Sequence, residues 1–71
     1  MRNIIADFTK AEKERLQYEC DFSNDEQELF DLRGKGLSLE ECAERMYVSV
    51  KTAGRINKRI NSKIQKVLRT L

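Results

Sequence analysis

Three times along the chain a hydroxyl residue is followed three places later by glutamate: Thr9 with Glu12, Ser23 with Glu26 and Ser38 with Glu41. This is capping-box spacing, in which the hydroxyl takes a backbone N–H of the first helical turn and the carboxylate returns to the N–H of the capping residue. Ser49 stands at a fourth such start, without an acidic partner. The chain has no proline, and Gly34, Gly36 and Gly54 are its only strong backbone punctuation. Four helix starts and so few breakers predict an all-α fold.

The spacing sets the elements. A first helix runs from about Lys10 to Cys20 and turns Leu16, Cys20 and Tyr18 inward. A second, over 24–33, carries Leu29, Phe30 and Leu32 and stops at Gly34-Lys35-Gly36, where glycine can take the left-handed conformation. A third spans Leu39–Met46 and buries Leu39, Cys42, Ala43 and Met46. After the turn Tyr47-Val48-Ser49 a long helix opens at Ser49. The expectation is a small four-helix domain with a helix-turn-helix and a long C-terminal helix. Residues 1–21 form an N-terminal segment with a short helix and 22–71 the helix-turn-helix proper, together one folded unit. A chain of this size buries only about 60% of its unfolded surface, so its core is too small to enclose a ligand cavity.

The formal charge of +2 hides a division at Ser49. Before it stand 7 Lys/Arg against 12 Asp/Glu; from Ser49 to the end stand 7 against none. Such asymmetry points to a polyanionic partner facing the last helix. On a wheel of about 100° per residue, Ala53, Ile56, Ile60, Ile64, Val67 and Leu71 fall in one stripe. Lys51, Arg55, Lys58, Arg59, Lys66 and Arg69 lie opposite, with Lys63 at the flank. One face suits protein and the other phosphate. A helix of this length, roughly 35 Å at about 1.5 Å per residue, exceeds what a major groove holds, so its second half has another task.

Several functions are disfavoured. Cys20 and Cys42 are too few and too far apart for a zinc site, and the chain has no histidine. The thiols are expected to be reduced, with Cys42 a small core residue. Ile4-Ile5-Ala6 is too short for a secretory segment, and no stretch would span a membrane, so a cytoplasmic location is expected. No nucleophile is paired with a base and no glycine-rich phosphate loop is present. Neither an enzyme, a cofactor nor a small-molecule substrate is expected.

The run from Phe22 through Gly36-Leu37-Ser38, Ala43, Val48-Ser49 and Lys51-Thr52 resembles the helix-turn-helix of sigma-factor region four and LuxR-type regulators. The resemblance extends without a gap to about Ile64, 43 of 71 positions. Ser38-Leu39-Glu40-Glu41 and Ile56 are similar to the sigma type; Ala43-Glu44-Arg45 and Ser49-Val50-Lys51-Thr52 are similar to the LuxR type. It is similar as well to small stand-alone proteins of bacterial and phage-like genomes. Two positions depart from the pattern: Val50, where a charged or polar residue is usual, and Gly54, where a DNA-contacting lysine or arginine is common.

The resemblance implies double-stranded DNA binding and transcription regulation, with Val50, Lys51, Gly54, Arg55 and Lys58 facing the major groove. Arg55 has the planar fork that reads guanine, or it grips phosphate. Val50 touches a thymine methyl, or packs against Met46 or a partner chain. Lys51, Lys58, Arg59, Ser49 and Thr52 are read as phosphate clamps, and Ser38 joins them at a helix start while also capping it. Ala43 is small so that the two motif helices can cross closely. Asn57, Ile60, Ile64, Val67 and Leu71 fit the a and d positions of a two-stranded coiled coil with one polar a residue, implying a homodimer; the same stripe could instead pack on Leu16, Phe22 and Leu29. The competing reading is a sigma-like interaction module that docks its acidic half on RNA polymerase or another regulator.

Overall fold

The computed structural model describes residues 3–70. It is a small all-α domain: a single 3-10 turn at Ile5–Asp7, then α1 (Lys10–Cys20), α2 (Asn24–Gly34), α3 (Leu39–Met46) and α4 (Val50–Thr70). Among the described residues there is no strand. α4 sets the long dimension, since 33 Å of overall extent is about what 21 residues at ~1.5 Å each require.

The helix starts obey their capping residues. The Thr9 hydroxyl accepts the Glu12 N–H while the Glu12 carboxylate takes the Thr9 N–H, and Ser38 with Glu41 repeats the exchange. At Ser23 the Glu26 carboxylate takes the backbone N–H, and the hydroxyl donates to Asp25. α2 and α3 end in the same way with different residues. In α2 the Gly36 N–H reaches the Arg33 carbonyl and the Leu37 N–H the Leu32 carbonyl; in α3 the Tyr47 N–H reaches Glu44 and the Val48 N–H reaches Ala43. Both are Schellman ends, which need a left-handed residue at the stop. Gly36 supplies it at φ +92° and Tyr47 at φ +57°.

α4 lies across α1, α2 and α3. The core joins Ile5, Leu16, Cys20, Leu29, Phe30 and Cys42 to Ile56, Ile60 and Ile64 of α4. Ala53 and Ala43 are buried beside it, so the small residue expected in α3 has a small counterpart in α4. Phe22 and Phe30 stack at 4.9 Å between ring centroids.

Three expectations change. Tyr18 is 88% exposed, because its position on α1 points away from α4 while Leu16 and Cys20 point in. Leu39 and Met46 are half-buried edges of the core. The coiled-coil seam is occupied within one chain: Asn57, Ile60 and Ile64 are all but inaccessible and Val67 packs against the same core. A two-stranded coil through that stripe would have to open the domain, so packing is the observed alternative; Leu71 lies outside the described residues. The N-terminal segment is tied to the helices as well, since Ile5 enters the core and Asn3 donates to the Arg33 carbonyl at the end of α2.

Candidate nucleic-acid interface

The turn between α3 and α4 is three residues long, Tyr47-Val48-Ser49, and α4 starts with its capping hydroxyl facing solvent. Ser49 Oγ accepts the Thr52 N–H at 3.1 Å and donates to Thr52 Oγ1 at 3.0 Å. Threonine therefore stands where the other three starts have glutamate. The first turn of α4 carries no acidic residue, and its unpaired N–H groups and positive dipole end are left for an anion.

Val50, Lys51, Thr52, Arg55, Lys58 and Arg59 are all exposed and Gly54 is half-buried. With about 100° per residue, Lys51, Arg55, Lys58, Lys66 and Arg69 fall within an arc of about 80°. The buried residues Ala53, Ile56, Ile60 and Ile64 centre on the opposite side. None of those five cations has an ion-pair partner among the described residues.

Arg59 and Lys63, a step around the helix, are different. Arg59 approaches Asp25 at 3.5 Å and Glu26 at 3.7 Å, and Lys63 donates to the Glu26 carboxylate and to the Asp21 carbonyl. Glu26 is 3% exposed although it caps α2. The hydrogen bond from Lys63 holds its carboxyl below the ordinary range against the opposing effect of burial, and the Ser23 hydroxyl does the same for Asp25. Arg59, read from the sequence as a phosphate clamp, is thus part of a brace between α2 and α4. Lys63 also sits 5.9 Å from the Phe22 ring centre.

Ser38 is half-buried and its hydroxyl and backbone N–H are engaged in the α3 capping box. That hydrogen bonding keeps the Glu41 carboxyl low. The position is a cap at the edge of the interface, with Glu40 and Glu41 in the same turn. It is therefore a poor phosphate clamp.

Sequence reasoning overlooked Tyr47, which is 95% exposed immediately before the α4 start. The signal was present: a helix ending at Met46 requires a left-handed residue next, and the chain offers tyrosine where glycine or asparagine would serve better. Val50, at 47% exposure, is not packed away within its own chain. Together they put two apolar side chains beside the cationic line. A glycine inside α4 also gains meaning, because a methyl group built on Gly54 would meet nothing within 4 Å. No neighbour in the chain requires the absence of a side chain there.

Among the described residues no group of His, Cys, Asp or Glu is arranged to hold a metal, and no helix is long and apolar enough to cross a membrane. Both thiols are buried, which raises their pKa above the ordinary value. Comparison with protein families, curated proteins and solved structures finds no match to this chain.

Proposed function

We propose that the chain is a sequence-specific double-stranded-DNA-binding protein and transcription regulator, with the leading turns of α4 in the major groove. The observation that carries this reading is the line Lys51-Arg55-Lys58, exposed and without carboxylate partners among the described residues, on the outward side of a helix whose inward side is fixed in the core. A straight cationic line of this pitch matches a groove walled by phosphates. The resemblance to sigma region four and LuxR-type helix-turn-helix domains supports the same assignment.

Within it, Arg55 reads base edges through its guanidinium fork, and Val50 with Tyr47 supplies apolar contact to bases or sugar. Lys51, Lys58, Thr52 and the α4 N-terminus hold phosphates. Gly54 lets the backbone approach the duplex closely. A regulator of this kind works in the cytoplasm, where Cys20 and Cys42 stay as thiols.

The experiment is selection from a random duplex pool followed by titration of the selected site against salt. Each phosphate neutralised by a lysine or arginine contributes a slope of about −0.9 in log affinity against log salt, so the phosphates held by Lys51 and Lys58 give about −1.8. Lys51→Ala with Arg55→Ala should abolish enrichment. A flat salt response, or no enriched sequence, overturns the reading; retained capture of RNA polymerase by that double variant would instead favour the docking module.

A further inference from the structure

The cationic line does not stop where the groove-facing turns end. Beyond Lys58 it continues through Ser62 to Lys66 and Arg69 at the same rotation about α4, and all three are exposed. Asn61, Gln65, Lys66 and Arg69 border a shallow surface groove along the last turns. No carboxylate occurs anywhere in α4, and neither Lys66 nor Arg69 has an ion-pair partner among the described residues. The opposite side is held by Ile60, Ile64 and Val67 in the core, so the helix cannot roll to hide these charges.

Length decides what they can reach. Arg69 lies about 16 Å beyond Lys58 along the axis, while the major groove is about 12 Å wide. A straight helix with Lys51 to Lys58 inside the groove therefore carries Lys66 and Arg69 out across the bordering phosphate strand. We infer that Lys66 and Arg69, with Ser62 and Gln65 as neutral donors on the turn before them, form a second phosphate-binding patch on the same duplex. This patch widens the footprint without reading sequence. The inference rests on the DNA-binding reading above and adds a task for the half of α4 that the dimer hypothesis had claimed.

The test pairs wild type with Lys66→Gln/Arg69→Gln on the selected site, placed in a long duplex and in one trimmed to the base pairs under the leading turns. Neither side chain has an ion-pair partner among the described residues, and their neutralisation relieves like-charge repulsion along α4, so the variant should stay folded and melt no lower than wild type. On the long duplex the variant's salt slope should be shallower by about 1.8, two phosphates at about 0.9 each, with the ranking of preferred sequences unchanged. Trimming the duplex should bring wild type to the variant's affinity and leave the variant unmoved. Equal slopes for two proteins that both bind would overturn the patch and leave the function standing. A changed sequence ranking would overturn its sequence-neutral role. Wild type that shows no salt-dependent duplex binding would overturn both.

Discussion

Replacing Glu26 by glutamine removes one negative charge from the brace between α2 and α4 while keeping the side chain's shape. Glu26 is 3% exposed and takes hydrogen bonds from Lys63 and from the Ser23 backbone, with Arg59 at 3.7 Å. The amide oxygen can still cap Ser23, so the loss is confined to charge. A hydrogen bond to a charged group contributes about 1.5–3 kcal/mol against about 0.5–1.5 for a neutral one, and a carboxylate in the first turn adds about 0.3–1 from the helix dipole. Lys63 and Arg59 are 36% and 59% exposed, so both can rehydrate and neither is left as a buried orphan. The expected cost is about 1–2 kcal/mol, a large share of the ~3–5 kcal/mol that a core of this size supplies. Urea unfolding followed by helical circular dichroism measures it. The pH dependence gives the sign. The folded carboxyl is depressed, so its contribution is complete above the ordinary carboxylate range and is lost as pH falls through the depressed value. The gap between wild type and Glu26→Gln should be full near neutrality and close in strong acid. A gap below about 0.5 kcal/mol at neutral pH, within the scatter of ordinary surface changes, or one that persists undiminished in acid, would refute the brace.

Gly54→Ala should stabilise the free protein by up to about 1 kcal/mol, the helix-propensity difference, because the added methyl meets nothing. The same variant should bind the selected duplex more weakly, so a stability gain without an affinity loss would remove the close-approach role. Tyr47→Gly relieves a left-handed tyrosine worth about 1–2 kcal/mol but adds unfolded-state freedom of about 0.5–1; a net gain of about 0.5–1 kcal/mol in urea is expected, and a loss would mean the ring packs on the fold. Ile60→Ala should cost about 2–5 kcal/mol and leave the chain largely unfolded, with a melting temperature of wild type that does not vary with protein concentration; concentration dependence would show that the stripe is shared with a second chain.

The parts of the fold legible in the sequence are those whose causes are local. A capping box is decided within four residues, so Thr9, Ser23 and Ser38 announce their helices, and the wheel of α4 separates core from solvent because one residue type fills each side. Glu26 shows the limit. As a capping glutamate it looks like Glu12 and Glu41, and only the arrival of α4 with Lys63 and Arg59 turns it into a buried charge. Arg33 is similar: it is 3% exposed and donates to the Leu37 carbonyl, a contact that depends on the turn through Gly36. Asn57 read as a polar position in a coiled coil because heptad spacing and the spacing of a core-facing helix coincide over two turns. Tyr18 misled because α1 has weak amphipathic character and offers little to orient it.

The distribution of charge on α4 is costly for the free protein. Lys51 with Arg55, Arg55 with Arg59 and Arg59 with Lys63 are four residues apart, and Lys63, Lys66 and Arg69 follow at intervals of three. Like charges at these spacings destabilise a helix by about 0.2–0.5 kcal/mol per pair, and Lys51 in the first turn also opposes the positive end of the dipole. Asp25 and Glu26 relieve only Arg59 and Lys63. A face that served solubility alone would intersperse glutamates and avoid the repulsion; the all-cationic face suits the proposed role, in which an external polyanion neutralises it. The physical signature is a pair of opposite salt effects in one molecule. Added salt screens the self-repulsion and should raise the unfolding midpoint of the free protein, while the same salt restores counterions to the duplex and weakens the complex. An outward face kept only for solvent would produce the first effect without the second.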